Sequence, residues 1–367
     1  MKTFLVGVGA AGNKAVVNAI MSGVFEVEDT MIVNSTSKDF PPEYTGNKVI
    51  LSSEDTGCGK ERSIAKDYAM KAIADNKFPS AEKMSPYTTV IVCTSVEGGT
   101  GSGSAPLIAK FFNKVHVKNV HIIAFTGFED DVRGLANTVD FFKEIAPEII
   151  VQTISNKTFM AKANGNKMRA EELANNEMST RIRVLTGMDF IEGSQNIDDT
   201  DILKLSNTSG YMTVEKRYIN KPLETRDDYE RVIKNMIYNS ASIKATEPAP
   251  QRIGVILNIS PESEDAIDYQ FESIVNEYGK PYEMFTQVQY DGKKEYIAYI
   301  CSGMKMPLDE VKAIHDRYVE QTNKINKEYD EFFTDIKEMN ALDIDKKFDM
   351  IKEVSTGISV ADFLDNM

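Results

Sequence analysis

The stretch EGGTGSGSAP, Glu97 to Pro106, decides the fold. Residues 88–96 before it, TTVIVCTSV, are rich in β-branched side chains and predict a buried strand, while residues 107–115 after it, LIAKFFNKV, have helical spacing. The glycines are expected to adopt positive φ and to direct their N–H groups at one point, where a helix N-terminus also favours an anion. The final proline suits the first turn of that helix. The stretch therefore predicts a phosphate-binding loop.

Two other kinds of loop are considered for this stretch. No Gly-Lys-Ser/Thr follows the glycines, so the stretch is not a Walker loop and no lysine of the loop would reach a phosphate. A flexible Gly/Ser linker is the remaining alternative. A linker, however, is not expected to lie so tightly between a predicted strand and a predicted helix.

The N-terminus also carries a glycine motif. The run KTFLVGVGAAGNKAVVNAI, residues 2–20, combines a strand, the spacing Gly7-x-Gly9-x-x-Gly12 and a helix, which alone would indicate an NAD-dependent enzyme. That alternative requires an acidic residue at the end of the second strand, where the chain has Asn34 followed by Ser and Thr. A dehydrogenase also has no use for a second phosphate loop.

Taken in order, these motifs resemble those of the tubulin/FtsZ family, whose signature loop is a GGGTGSG run between a strand and a helix. Glu97 replaces the first glycine of that run. The resemblance covers residues 1 to about 205 and implies a GTPase that assembles into filaments, most like the plasmid- and phage-borne TubZ proteins. It implies nucleotide contacts by Gly9, Ala10, Ala11, Gly12, Asn13, Asn34, Gly57, Gly98, Gly99, Thr100, Gly101, Ser102, Gly103, Glu129, Arg133, Asn156 and Asn175.

Three of these positions have an alternative interpretation. Glu129 and Arg133 stand four residues apart, as do the family's ribose and guanine contacts, but an ion pair within one helix would have the same spacing. Asn175 matches the asparagine by which the family reads guanine, and an amide offers both the donor and the acceptor that this base requires. A polar residue on a solvent-exposed helix face is the alternative for Asn175.

The acidic segment GSQNIDDTDILKL, residues 193–205, matches the family's Asn-x-Asp-x-x-Asp pattern. The resemblance implies that Asn196, Asp198 and Asp201 are catalytic and act on the γ-phosphate of the next subunit in a head-to-tail homopolymer. Helix capping is the alternative, and the protein would then be a nucleotide-gated structural filament without efficient hydrolysis. The implied ligands are GTP or GDP and Mg²⁺, and the residues that hold the metal remain unknown.

The order of elements predicts an α/β fold in four parts. Residues 1–167 are expected to form a doubly wound parallel-sheet GTP-binding domain and residues 168–192 a long central helix. Residues 193–305 would form the catalytic loop and a smaller α+β second domain, and residues 306–367 a helical C-terminal extension. Asp291-Gly292 predicts a hairpin between the last two strands.

Composition limits the partners and the compartment. The net charge of −14 argues against direct contact with nucleic acid, so segregation of a plasmid or phage genome would require a DNA-bound adaptor protein. A cell-division role is the alternative. Three widely spaced cysteines suggest reduced, buried thiols, and the sequence carries no signal-peptide pattern and no apolar run of ~20 residues. The expectation is a soluble cytoplasmic protein that does not contact membranes.

Overall fold

The computed structural model describes residues 2–115, 117, 119–329 and 331. The chain divides into two compact units, residues 1–315 and residues 316–367. All strands named below lie in the first unit, and residues 316–329 of the second unit are helical. The part of the predicted C-terminal extension beyond residue 331 lies outside the described residues.

The first unit is built on one ten-stranded sheet with the strand order β3-β2-β1-β4-β5-β6-β7-β10-β8-β9. Its strands are β1 (Thr3–Val8), β2 (Thr30–Asn34), β3 (Asn47–Ile50), β4 (Thr89–Ser95), β5 (Asn119–Thr126), β6 (Ile150–Ser155), β7 (Gly210–Tyr218), β8 (Arg252–Asn258), β9 (Glu283–Gln289) and β10 (Tyr296–Met304). The strands from β1 to β6 pair in parallel, which confirms the predicted doubly wound sheet.

Helices connect the strands. They are α1 (Gly9–Met21), α2 (Arg62–Ala74), α3 (Ala81–Met84), α4 (Gly99–Lys114), α5 (Val132–Glu144), α6 (Asn156–Phe159), α7 (Lys167–Leu185), α8 (Asp199–Ser206), α9 (Arg226–Tyr238), α10 (Pro261–Glu264) and α11 (Glu272–Tyr278). Residues 308–315 are also helical. Among the described residues, no helix has both the length and the apolar character needed to cross a membrane.

The central strands of the parallel half of the sheet are buried on both faces. Every residue of β1 is buried, as are those of β2 and β5. Such strands are expected to be largely apolar rather than alternating, and these are, although β5 also buries Asn119 and His121. The three cysteines are buried free thiols, as predicted, and two of them lie in β4 and β10.

The second half of the sheet corrects the predicted hairpin. β9 and β10 are not neighbours, because β8 lies between them and pairs in parallel with β9 and antiparallel with β10. The turn at Gly292 is real, with φ of +72°, but the connection crosses the end of β8. Asn258, the last residue of β8, donates from Nδ2 to Asp291 Oδ1 at 3.1 Å and accepts from the Asp291 N–H. The Asn258 side chain thus holds the connection between β9 and β10 through hydrogen bonds, where a hairpin would use backbone pairing.

The central helix α7 packs one apolar face into the core. The residues at helical spacing along this face are all buried: Ala170, Ala174, Met178, Ile182 and Leu185. Arg181 of the same helix is also fully buried, and it donates to the Thr153 carbonyl at 2.9 Å and to Glu215 Oε1 at 2.8 Å. This guanidinium therefore ties α7 to β6 and β7, so one core and one sheet run through both predicted domains.

Candidate nucleotide-binding site

The predicted nucleotide residues gather at one edge of the sheet, beyond the carboxyl ends of its parallel strands. Gly9 follows β1, Asn34 ends β2, Gly98 lies just after β4 and Asn156 follows β6. Direct contacts join these segments. Thr100 Oγ1 lies 2.9 Å from Ser35 Oγ, and a Cβ on Gly9 would lie 3.1 Å from the Gly101 nitrogen. This edge is where ligands bind in doubly wound sheets.

Two helix N-termini meet at this edge, and neither is capped by a side chain. α1 begins at Gly9 and α4 at Gly99, and the residues before them, Val8 and Gly98, make no side-chain capping bond. The first N–H groups of a helix have no partner within it, and the helix dipole places partial positive charge there. The contact of Gly9 with Gly101 brings both ends together, so their N–H groups can share one anion.

The glycine-rich stretch is helical, which corrects two expectations. Pro106 does not start the helix but lies inside α4, which begins at Gly99. A proline there deprives the Ser102 carbonyl of its helical donor, and buried Arg62 supplies a replacement from Nη1 at 2.6 Å. The predicted positive φ at Gly98, Gly99, Gly101 and Gly103 is wrong, whereas Gly9, at the start of α1, has a φ of +75°.

Close packing explains why α4 nevertheless needs glycine. A Cβ on Gly101 would overlap Thr94 Oγ1, and one on Gly99 would lie 2.6 Å from the Lys60 Cα. A Cβ on Gly103 would lie 2.7 Å from the Arg62 carbonyl oxygen. Gly98 differs, because no atom lies within 4 Å of its Cβ position. The glycines therefore let α2 and β4 approach the first turns of α4.

Buried asparagine amides at the site have free hydrogen-bonding atoms. Asn13 accepts from the Val33 N–H at 3.3 Å and Asn34 accepts from the Ser35 N–H at 2.8 Å, but Nδ2 of each has no partner in the described part of the chain. Asn156 Oδ1 is also unpaired there. Because a buried polar atom without a partner costs free energy, these atoms are poised for a ligand that supplies acceptors and a donor.

The N-terminal half of α7 lies against α1 near this edge. Lys14 pairs with Glu171 at 3.8 Å, and Asn18 Nδ2 donates to Asn176 Oδ1 at 2.9 Å. Asn175 is half-buried between these contacts along the helix. Asn18, which lies beyond the motif that ends at Asn13, also accepts from Ser179 Oγ at 3.0 Å and so helps to hold α7 against α1.

Glu129 and Arg133 do not form the alternative intrahelical ion pair. Glu129 has a φ of +58° and precedes α5, which begins at Val132. Its carboxylate pairs with Lys157 at 2.8 Å, and Arg133 pairs with Glu61. Lys157, which directly follows Asn156, is therefore an ion-pair partner of Glu129.

Glu97, which stands in place of the family's first glycine, is turned away from the helix ends. Its Oε1 accepts from the Glu129 N–H at 2.8 Å, and a Cβ on Gly127 would overlap its carboxylate. Burial raises the pKa of this carboxyl, against the effect of the backbone N–H groups of Glu129 and Phe128. Asn137 Nδ2 donates to the Glu97 carbonyl at 3.0 Å and to the Lys60 carbonyl at 3.1 Å, which joins the loop before α2, residues 51–61, to the glycine-rich stretch.

The loop before α2 contacts the glycine-rich stretch through its cysteine. Cys58 Sγ lies 3.1 Å from Thr100 Oγ1, whereas the Cβ position of Gly57 is open. Asp55 of this loop accepts from Ser37 Oγ at 2.5 Å, and that bond lowers the pKa of the Asp55 carboxyl. No group of three or more His, Cys, Asp or Glu side chains that could hold a metal occurs in the described residues. Mg²⁺ does not require such a group, since it commonly binds one or two carboxylates, substrate phosphates and waters.

The predicted catalytic acids lie at the other end of α7. This helix has 19 residues, which corresponds to about 28 Å. Its start lies beside the nucleotide edge, where Lys167 pairs with Asp130 at 2.6 Å. Beyond its end, Thr186 and Met188 line a cavity together with Lys2 and Thr3 at the start of β1. The acids that follow are thus remote from the nucleotide edge of their own subunit.

Local hydrogen bonds account for part of the acidic segment. Asp198 caps α8, because its Oδ1 accepts from the Asp201 N–H at 2.9 Å, while the residue itself is exposed. Asn196 closes a turn with Gly193 through two hydrogen bonds of 2.9 and 3.0 Å. The capping alternative is therefore real for Asp198, and its exposure leaves it accessible to a second molecule.

Sequence comparison finds distant relatives. No protein-family model matches the chain. The cell division protein FtsZ of Mycoplasmopsis pulmonis is 24% identical over 212 residues, which are 56% of this chain and 53% of that protein. The cell division protein FtsZ 1 of Methanocaldococcus jannaschii is 21% identical over 214 residues, 57% of each chain. The match spans little more than half the length of these curated relatives.

Structural comparison covers more of the chain. The TubZ of Clostridium botulinum phage c-st superposes with a TM-score of 0.69 over 88% of this chain and 99% of that one, at 16% identity. A GTPγS-form protofilament of Bacillus thuringiensis serovar israelensis TubZ also gives 0.69, at 16% identity over 89% and 94%. GTPγS-bound CetZ2 of Haloferax volcanii gives 0.71, at 15% identity over 89% and 100%. These proteins share the fold described above.

Proposed function

We propose that this chain, a member of the tubulin/FtsZ superfamily by fold and by distant sequence similarity, binds GTP and hydrolyses it within a head-to-tail filament of its own copies. Its role would be that of a cytomotive filament that positions or segregates a plasmid or phage genome through a DNA-bound adaptor. TubZ proteins from a phage and a Bacillus have the same fold, and one of them forms a GTPγS-form protofilament, which supports this class of function.

One observation carries the proposal. The uncapped N-termini of α1 and α4 meet at Gly9 and Gly101, beside buried amide nitrogens of Asn13 and Asn34 that have no partner in the described residues. Clustered N–H donors suit the phosphates of a nucleotide. Asn175, on the helix face near α1, would read the guanine base, and Glu129 and Arg133 would contact the ribose and the base.

The proposed mechanism divides the reaction between two subunits. The nucleotide edge would bind and orient GTP, with the helix N-termini stabilising the charge that develops on the phosphates. Asp198 and Asp201 of the next subunit would orient the attacking water and accept its proton. When Mg²⁺ is bound with the nucleotide, it supplies further neutralisation of phosphate charge. A contact of this kind is heterologous and does not close on itself, so open filaments result.

The test compares nucleotide binding with assembly. We expect the purified full chain to bind GTP and GDP as a monomer, and to sediment as filaments only with GTP or a slowly hydrolysed analogue such as GTPγS. Phosphate should be released in the sedimenting fraction. Sedimentation that is the same with and without nucleotide, or failure to bind GTP, would refute the proposal.

A structural filament without efficient hydrolysis is the second candidate, because Asp198 has a complete capping role in α8. Filaments that form with GTP but release no phosphate would support it.

The cargo is tested by a separate experiment. Co-sedimentation of a DNA-binding protein encoded beside this chain would favour genome segregation over cell division.

A further inference from the structure

The segment that leads to the predicted acids, and includes the first of them, Asp198, is hydrogen-bonded to the edge strand of the sheet. We name residues 189–198 the acidic loop. We propose that Gln287 and Gln289 of β9 are positioning residues, which hold the acidic loop in the geometry needed to act on the nucleotide of a neighbouring subunit. This inference rests on the proposed function, since it assigns a role within that reaction.

Gln289 holds the first part of the acidic loop. Its Nε2 donates to the Asp189 carbonyl at 2.8 Å, and its Oε1 accepts from the Ile191 N–H at 3.0 Å. The Gln289 side chain is buried, so its amide is shielded from solvent. Both ends of one amide are thus used on the backbone of one short segment.

Gln287 holds the part that leads directly to Asp198. Its Oε1 accepts from the Ile197 N–H at 2.7 Å, and its Nε2 donates to the Ile191 carbonyl at 2.8 Å. It also lies 3.4 Å from Asn196 Oδ1. Gln287 is buried and therefore fixes the backbone immediately before the first catalytic acid.

The two glutamines act together because they project from the same face of β9. Residues two apart in a strand point the same way, and Gln287 Nε2 lies 3.1 Å from Gln289 Oε1. The strand backbone adds a further bond, since the Val288 N–H donates to the Gln195 carbonyl at 2.9 Å. The loop backbone lies so close that a Cβ on Gly193 would overlap the Val288 carbonyl oxygen.

This arrangement explains why polar residues occupy buried positions of an edge strand. β9 is the last strand of the sheet, and the acidic loop bridges it through Gln195 and Val288. A hydrophobic pair on β9 could cover the loop but could not set its register, because burial is non-directional. Hydrogen bonds from the two glutamines to particular carbonyl and N–H groups of the loop do set its register. A shift of 1 Å in a catalytic group can lower a rate ~10²-fold.

The experiment uses the full chain with the near-isosteric changes Gln287→Met and Gln289→Met, singly and together. Thr286→Val is the matched control, because Thr286 projects from the opposite face of β9 and its side chain forms no hydrogen bond with the acidic loop in the described structure. Four quantities are measured: GTP affinity of the monomer, melting temperature, the sedimenting fraction, and phosphate release per sedimented subunit.

We expect all variants to bind GTP within twofold of the wild type, because the nucleotide edge is remote. Phosphate release per sedimented subunit should fall ~10²-fold in the double variant and stay unchanged in Thr286→Val. A melting temperature that falls while sedimented subunits hydrolyse at the wild-type rate would overturn the inference, since the glutamines would then be structural only. If the double variant does not fold, the single variants are judged by the same criterion.

The wild type measured alongside separates this inference from the proposed function. If sedimented wild-type chain releases no phosphate, the proposed function fails and the inference fails with it. If the wild type hydrolyses GTP and the glutamine variants do so equally well, the inference alone is overturned.

Discussion

At the scale of single residues, unpaired asparagine amides are the clearest sign of a ligand at the candidate nucleotide edge. Asn13 and Asn34 are buried, and in the described residues Nδ2 of each has no hydrogen-bond partner. Burial of an unpaired donor lowers the stability of the free protein, and a bound ligand that accepts these hydrogen bonds would remove that cost. The glycine motifs could be found from the sequence, but the unpaired amides could not. Whether an amide has a partner depends on neighbours far along the chain, as with Asn13 and Val33.

Asn175 is predicted to determine base preference. Guanine offers O6 as an acceptor and N1/N2 as donors, whereas adenine presents a donor in place of O6. We expect wild-type chain to prefer GTP over ATP by ~10³-fold or more, and Asn175→Ala to lose most of that preference. Competition between the two nucleotides for the monomer measures it, and an unchanged preference in the variant would remove Asn175 from the site.

Glu97 is predicted to make stability depend on pH. Burial raises the pKa of its carboxyl above the ordinary value of about 4.3, so the folded chain holds this proton more tightly than the unfolded chain. Its contribution to the free energy of unfolding therefore declines as pH rises from about 4.3 through the folded-state pKa. Glu97→Gln lacks that decline. Urea denaturation without nucleotide should show the variant gaining stability over wild type between pH 4 and pH 7, and parallel profiles would contradict this.

At the scale of elements, periodicity predicted what is local and missed what is long-range. The buried face of α7 and the parallel strands β1, β4 and β5 follow from the spacing of apolar residues. The start of α4 did not, because Arg62, 40 residues from Ser102 in the chain, makes an internal proline tolerable. The hairpin prediction failed for the same reason: β8 inserts between β9 and β10, and a turn signal contains no information on strand order.

The first turns of α4 provide a prediction at this scale. Gly101→Ala would force a methyl group against Thr94 and should lower the free energy of unfolding by ~1–3 kcal/mol. Gly98→Ala meets no atom within 4 Å and has an ordinary φ of −75°, so it should cost less than about 1 kcal/mol. Denaturation of both variants without nucleotide decides this. Equal losses would mean that backbone freedom, rather than space, selects glycine here.

At the scale of the whole molecule, the length of α7 separates the candidate nucleotide edge from the acids that are proposed to be catalytic. The helix begins beside the nucleotide edge and ends near the start of β1, so the acidic loop cannot reach its own subunit's nucleotide without large movement. The order of motifs along the chain predicted this separation through the resemblance to the tubulin/FtsZ family. The attachment of the loop to β9 could not be predicted, because it joins residues about 90 positions apart.

Removal of the acids should therefore spare binding and abolish turnover. Asp198→Asn retains the helix cap, since asparagine caps as well as aspartate, and Asp201→Ala removes the second carboxylate. Both variants should bind GTP normally and assemble, but hydrolyse 10²- to 10⁴-fold more slowly, so that filaments persist. Each should also slow wild-type filaments when mixed in. If either variant monomer fails to bind GTP, its acid belongs to the nucleotide pocket or to the fold.

The most direct measurement of the divided site is the rate of phosphate release per wild-type subunit across a range of protein concentrations at saturating GTP. The account predicts almost no release below a threshold concentration and a steep rise above it, in step with the sedimenting fraction. A rate per subunit that is the same at every concentration would show that one subunit hydrolyses GTP alone, and would contradict the account.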